Sequence, residues 1–141
     1  MSAMSDYLEA ELLKHIFRTG SFTKPTKLCI ALCKSVPVDA DTGALTNKEI
    51  DNAGQYAREQ LNPLDANWTA VGTNGLTDNA VEIAFEEATT EWGWVSGVAI
   101  CDHEGYGSGN MLLYGSLTTP RKVEIGDVFR FAIGRLDVTF A

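Results

Sequence analysis

The chain has 141 residues, a formal net charge of −8 and a hydrophobic fraction of 45%. This length predicts a single domain, residues 1–141, that buries a core of its own. Its acidity argues against nucleic acid as a partner, because phosphate binding needs a basic patch and the Lys and Arg residues look scattered. No apolar run approaches the ~20 residues of a membrane helix, and the N-terminus lacks a secretory signal, so we expect no membrane partner. Met1 and Met4 both fit as the start.

The first element in the chain is an amphipathic helix, predicted over 5–19. Ser5 is a good N-cap, and Gly20 favours a helix end. Apolar residues recur at helical spacing on one face: Leu8, Leu12, Leu13, Ile16 and Phe17. This stripe must be buried either on the sheet of the same chain or on a neighbouring subunit. Leu8, Leu12 and Phe17 are therefore candidate interface residues.

A strand follows at 27–34, with apolar residues on both faces. This pattern predicts a central strand covered on both sides, with the helix as the natural cover of one side. Cys29 and Cys33 face the same side of it, about 13 Å apart if the strand is extended, which is too far for a disulfide. With Cys101 they are expected to be reduced, buried thiols in a reducing compartment.

Residues 35–53 show no periodicity and predict an extended loop. Eighteen such residues from Ser35 to Asn52 are long for a compact domain, so we expect this loop to be functional, mobile or ordered by a partner. Asp39 and Asp41 lie four and two residues before Gly43 and resemble the start of a calcium loop. Counted from Asp39, however, the twelfth position is Ile50 rather than the Glu that such a loop needs. A solvated turn is favoured, and both aspartates are candidate contact residues.

The remainder of the chain, 80–141, consists of short hydrophobic runs separated by Gly, Pro, Asn and Asp. Such spacing is typical of an antiparallel meander. The predicted fold class is therefore mainly β: an antiparallel β-sandwich or barrel-like domain of about eight strands, with one N-terminal amphipathic helix. A further short strand is predicted within Gly54–Leu61, with a sheet edge as one option for its position.

Few residue patterns in the chain suggest chemistry. Asp102, His103 and Glu104 place an imidazole between carboxylates in a turn, but a solvent-exposed turn is the favoured interpretation. Gly105–Gly109 is glycine-rich but precedes a strand rather than a helix, which favours a hairpin loop over a phosphate site. No Cys or His pair has zinc-ligand spacing. We expect no catalytic residues, no metal and no cofactor, and hence no enzyme.

Trp92 and Trp94 are separated by Gly93, so both would lie on the same side of an extended strand. They could form an interface anchor or a sugar platform, whereas core packing is equally consistent with their type. A small carbohydrate-binding or hydrolytic domain that uses these two residues and the His103 turn is thus a third, weaker hypothesis.

Across nearly the whole chain, the sequence resembles small tailed-bacteriophage virion proteins, often labelled as tail fibre proteins. Glu86 departs from this pattern, since Pro is expected after Phe85. The resemblance rests on these runs: Tyr7-Leu8-Glu9, Leu28-Cys29-Ile30-Ala31-Leu32, Gly54-Gln55-Tyr56-Ala57-Arg58, Ile83-Ala84-Phe85, Trp92-Gly93, Ala99-Ile100-Cys101-Asp102, Gly109-Asn110-Met111-Leu112-Leu113-Tyr114-Gly115, Gly126-Asp127 and Gly134-Arg135-Leu136.

The resemblance implies a structural role in a virion, after synthesis in the bacterial host cytoplasm. A fibre shaft needs heptads or repeated β units, which this chain lacks. The favoured function is therefore capsid decoration, in which a cement protein binds the major capsid protein and stabilises the shell. The alternative is a tail-fibre or tail-tip knob that binds a host receptor. By analogy with capsid symmetry, the partners would include copies of the chain itself, with a trimer as the guess.

Overall fold

The computed structural model describes residues 2–140 as a mainly β domain with one helix. Nine strands form three antiparallel sheets, which do not close into a barrel over this range. The elements are β1 (Ala3–Met4), α1 (Asp6–Phe17), β2 (Cys29–Cys33), β3 (Glu59–Gln60), β4 (Leu76–Asp78), β5 (Ile83–Ala84), β6 (Gly93–Cys101), β7 (Met111–Val123), β8 (Arg130–Phe131) and β9 (Asp137–Thr139). The predicted class, mainly β with an N-terminal helix, is confirmed.

The long hairpin of β6 and β7 is the framework of the fold. The five-stranded sheet has the order β1-β7-β6-β2-β3, so β6 lies at its centre and β3 at one edge. β6 pairs with β7 from Gly93–Val123 to Cys101–Met111, with irregularities after Val95 and Ile100. The glycine-rich run Gly105–Gly109 is the loop of this hairpin.

The two remaining sheets are short ribbons, β4 with β9 and β5 with β8. They pack over one face of the main sheet, because Ile83, Phe131 and Val138 from the ribbons share a buried cluster with Ile30 and Ile100. Residues 80–141 are therefore not a continuous meander as predicted. β8 and β9 pair back onto strands that precede the hairpin, where their apolar residues close the core.

Buried Asn79 holds together the two segments that connect the ribbons, one between β4 and β5 and the other between β8 and β9. Its side-chain amide donates hydrogen bonds to the carbonyls of Val81 and Ala132, at 2.7 and 3.0 Å, and its oxygen accepts one from the Leu136 amide at 2.9 Å. Three backbone groups at a turn are thus satisfied by one side chain, as burial of polar backbone requires.

Strand β2 is buried on both faces, as its sequence indicates. Ile30 and Leu32 enter the large cluster, and Ala31 and Cys33 enter a second, smaller one. The first face shares its cluster with Leu8 of α1, and the second face is covered by a loop. Leu45, from the 35–53 loop, is the residue from outside the sheet that completes the smaller cluster, whereas α1 lies against β1 and β7.

Helix α1 begins and ends close to its predicted limits. The Ser5 hydroxyl accepts a hydrogen bond from the Leu8 amide at 3.2 Å and donates one to the carbonyl of Met111, so the N-cap also ties the helix to β7. The helix ends where the Arg18 amide bonds the Lys14 carbonyl. In the described part of the chain, no helix is long and apolar enough to cross a membrane.

The two ends of the described chain lie side by side. The Ser2 hydroxyl accepts a hydrogen bond from the Thr139 amide at 2.9 Å and approaches the Thr139 carbonyl at 3.3 Å. Strand β1 next to Ser2 pairs with β7, so the first residues are part of the main sheet.

Candidate functional site: apolar surfaces and a buried ion pair

The apolar stripe of α1 is buried at one end only. Leu8 is buried and Leu12 packs partly against the large cluster. The following turns expose their apolar residues: Leu13 is 58% exposed, Ile16 67% and Phe17 75%. These three stand at positions i, i+3 and i+4 and so share one face of the helix. The sequence leaves open whether the stripe is buried on the chain's own sheet or on a neighbouring subunit. The chain's own sheet buries only the residues of the first turns. We call the exposed residues Leu13, Ile16 and Phe17 the helix stripe.

A second apolar surface lies between the main sheet and the β4–β9 ribbon. It is an open cavity of about 550 Å³, with an adjoining recess of about 210 Å³ that shares four lining residues with it, Val71, Thr77, Leu113 and Val138. Leu64 and Val71 stand exposed at its rim, and Asp65 lines it. This cavity, here called the groove, is of the size that binds apolar groups in other proteins. Neither Leu64 nor Val71 was singled out from the sequence.

The 35–53 loop, which carries Asp39 and Asp41, is anchored along its length. The backbone of Glu49 forms an isolated antiparallel β-bridge with Cys33, and the Ile50 amide donates a hydrogen bond to the Leu32 carbonyl at 3.0 Å. Partial burial acts to raise the pKa of the Asp41 carboxyl, but the carboxylate accepts hydrogen bonds from the Lys48 ammonium and the Val38 amide, and together with the Lys48 charge these lower the pKa below its ordinary value. Asp39 accepts a hydrogen bond from the Tyr114 hydroxyl. Asp41 therefore stabilises a turn within the loop, Asp39 ties the loop to β7, and the two carboxylates have different partners.

A buried ion pair holds this loop to the hairpin. The Arg58 and Glu49 side chains are 0% and 1% exposed, and they meet in a bidentate contact of 2.8 and 2.9 Å. Arg58 also donates to the carbonyls of His103, Ser108 and Gly43 at 2.7 to 3.0 Å. All five guanidinium N–H groups are thereby used. The pair functions as a structural clamp that joins two loops to the end of β2.

Tyr56 completes the clamp from the core side. Its hydroxyl donates to Glu49 at 2.6 Å and accepts from the Leu32 amide at 3.1 Å. Burial and the Glu49 charge raise the pKa of Tyr56, so the hydroxyl stays protonated as the donor. The ring packs edge-on against Trp92.

Trp92 and Trp94 lie in different environments, unlike the pair on one side of a strand that the sequence predicts. Trp92 is 7% exposed and donates from Nε1 to the Gly54 carbonyl at 2.9 Å, whereas Trp94 is 58% exposed. The cause is Gly93, whose φ of +82° breaks the extended geometry that the same-side prediction assumed. The two rings therefore cannot form one aromatic platform. Trp94 alone stays a candidate surface contact.

The turn at Asp102, His103 and Glu104 does not gather its side chains. Asp102 accepts hydrogen bonds from the Asn110 backbone and side chain, Glu104 pairs with Lys27, and the His103 ring accepts from the Gly105 amide. Within residues 2–140, no group of three or more His, Cys, Asp and Glu residues could hold a metal ion.

All three cysteines are free and buried. Burial raises the pKa of each thiol, that of Cys101 to about 12. Cys29 stands directly opposite Cys101 in the sheet, while Cys29 and Cys33 lie at the two ends of β2. All three cysteines pack as small apolar side chains.

Basic and acidic residues are unevenly distributed along the sequence, which the net charge of −8 does not reveal. Residues 12–38 carry five Lys or Arg and no acidic residue, whereas residues 59–120 carry nine Asp or Glu and no Lys or Arg. The helix stripe belongs to the basic segment, and most of the groove belongs to the acidic one. Five of the eleven basic residues therefore fall within residues 12–38, and counting charge by segment is the signal that sequence reasoning missed.

Comparison with known proteins gives one family. The model of the family described as podophage GP4 fiber I protein gp80 matches residues 3–139. No curated protein matches the chain. The match covers both apolar surfaces and the clamp and confirms the resemblance to small tailed-phage virion proteins. The chain belongs to the podophage GP4 fiber I protein gp80 family and is a phage structural protein.

Proposed function

We propose that the protein is a compact subunit of a podophage fibre that works by shape and burial and has no catalytic role. The observation that carries the proposal is the exposed helix stripe, in a chain whose family is described as a fibre protein. Three large apolar side chains on one helix face are costly to leave in water and are typical of a surface that a partner covers. A chain of 141 residues without repeated units suits a knob or joint rather than a shaft, so it would attach to a shaft made by other virion proteins.

The second candidate is capsid decoration, which the sequence favoured first. The compact fold supports it, since a cement protein needs a rigid body and a contact surface but no length. It would use the same helix stripe against the major capsid protein. The family description supports the fibre position instead, and for that reason we place the fibre first.

Copy number separates the two candidates. Quantitative mass spectrometry of purified particles should find a small number of copies per particle for a fibre subunit, set by the symmetry of the tail. A decoration protein should reach on the order of hundreds, one set for each lattice position. Particle images that place the chain at the tail support the fibre role, and images that place it over the shell contradict it.

The helix stripe can be tested in the same particles. The Phe17→Asp variant should be lost from assembled virions while the purified variant keeps its fold, because a charge would be buried at the contact. Ile125→Asp is the matched control, since Ile125 is 71% exposed, lies on a turn and belongs to neither apolar surface. Equal incorporation of both variants would exclude the stripe as the attachment surface.

A further inference from the structure

Two unpartnered apolar surfaces on one chain suggest that they bind each other in different copies. The helix stripe is convex, with Leu13, Ile16 and Phe17 on one face. The groove is concave, and its volume of about 550 Å³ exceeds what one side chain fills. An amphipathic helix lying in an apolar groove is a common mode of recognition, read through anchors at i, i+3 and i+4.

Charge supports another copy of the chain as the occupant. Two copies, each with a net charge of −8, repel unless the contact joins regions of opposite sign. Arg18 follows the helix stripe and has no ion-pair partner in the described structure, whereas Lys14 pairs with Glu11 of the same helix. Asp65 lines the groove, in the segment with no basic residue. The basic end of the helix and the acidic wall of the groove are thus complementary in charge.

We propose that the helix stripe of one copy occupies the groove of the next, so that copies join head to tail. Each copy then gives one helix and receives one. Such a contact closes into a ring when the rotation between copies allows it. α1 has 12 residues and is about 18 Å long, so each contact is small. One contact is enough for a weak dimer, and ring closure stabilises the assembly further because it gives every copy two contacts.

The inference depends on the proposed role as a building block, yet its test uses the purified chain alone. If the particle places the chain elsewhere but the purified protein forms rings, the fibre role fails and this inference stands. If the chain lies in the fibre but is monomeric when purified, the fibre role stands and this inference fails.

The experiment measures mass by light scattering and native mass spectrometry. We expect a defined oligomer for the wild-type chain, and at least about a ten-fold weaker association for both Phe17→Asp on the helix and Leu64→Asp at the groove rim. Ile133→Asp, also on an exposed apolar residue, is the control and should associate as the wild type. Circular dichroism checks that each variant is folded.

Mixing the two variants gives the sharper result. Each variant keeps one intact surface, so a mixture of Phe17→Asp and Leu64→Asp should form a dimer that neither forms alone. A monomeric wild type, an oligomer that survives either variant, or a mixture that stays monomeric would each overturn the proposal. So would a small apolar molecule retained in the groove of a monomer in native mass spectrometry.

Discussion

Arg58 and Glu49 form a bidentate ion pair that is closed to solvent, at 2.8 and 2.9 Å. The pair stands nine residues apart in sequence, but the carbonyls that complete it belong to Gly43, His103 and Ser108. A single guanidinium therefore holds three parts of the chain that pair with one another through few backbone hydrogen bonds. Because its five donors are all satisfied, the usual cost of burying a charge is largely offset.

Removal of the carboxylate should destabilise the protein strongly. Glu49→Gln leaves Arg58 buried without a counter-charge, and we expect a loss of roughly 3 kcal/mol in the free energy of unfolding. Arg58→Lys should cost a similar amount, since an ammonium cannot supply five donors in a plane. Urea unfolding measures both. Lys34→Ala, which removes the exposed Lys34–Asp51 pair, is the control and should change stability by less than about 1 kcal/mol.

Gly43 should tolerate no side chain. A Cβ there would lie 2.3 Å from the carbonyl oxygens of Ser108 and Gly109, so the loop and the hairpin would have to separate. We expect Gly43→Ala to lower stability by about 2 kcal/mol. Gly72→Ala serves for comparison, because its nearest neighbour would be 3.6 Å away. Similar unfolding midpoints for the two variants would contradict the close contact.

The three thiols should be unreactive in the native protein. Their burial and raised pKa values keep them protonated and out of reach of a thiol reagent at pH 8. An aromatic disulfide reagent should label none of Cys29, Cys33 and Cys101 before unfolding and all three in guanidinium. Rapid labelling of the folded chain would show that the sheet opens at β2.

The different exposure of Trp92 and Trp94 predicts different fluorescence. Trp94→Phe should remove emission that acrylamide quenches readily, because the ring is in water. Trp92→Phe should instead remove shielded emission and also lower stability by about 1 kcal/mol through the lost hydrogen bond to Gly54. Equal quenching of both variants would mean that Gly93 does not turn the chain as described.

Alkaline stability should depend on Tyr114. Its hydrogen bond to Asp39 raises the pKa of the hydroxyl to about 12, above the ordinary value of 10.0. The protonated form is the one stabilised, so this contribution is present below pH 10 and is lost as the pH rises toward 12. Unfolding measured across this range should show a smaller loss for Tyr114→Phe than for the wild type. Identical slopes would show that the contact contributes nothing.

The sequence alone predicts the elements whose cause is local. Helix α1 follows from the Ser5 cap and a periodic stripe, and β2 follows from its unbroken apolar run. β3 was expected as a possible edge strand within Gly54–Leu61, and it lies at the sheet edge. In each case neighbouring residues determine the conformation, so a pattern over a few residues is enough.

Features that depend on distant partners were missed. Arg58 looks like an ordinary strand residue until Gly43, His103 and Ser108 are brought to it, and the groove has no local pattern because its walls come from separate strands. The pairing of β8 and β9 with earlier strands is likewise non-local. Segment-by-segment charge was visible beforehand, and it would have directed attention to 12–38 and 59–120.

The closeness of Ser2 and Thr139 bears on how the particle should be labelled. Reporter domains joined next to Ser2 and next to Thr139 would start from neighbouring points, beside Phe140, which lines the recess next to the groove. Such a fusion would crowd the surface under test and could imitate a loss of assembly. An epitope inserted at Ile125, on the turn that follows β7, avoids both apolar surfaces and gives a neutral position for imaging.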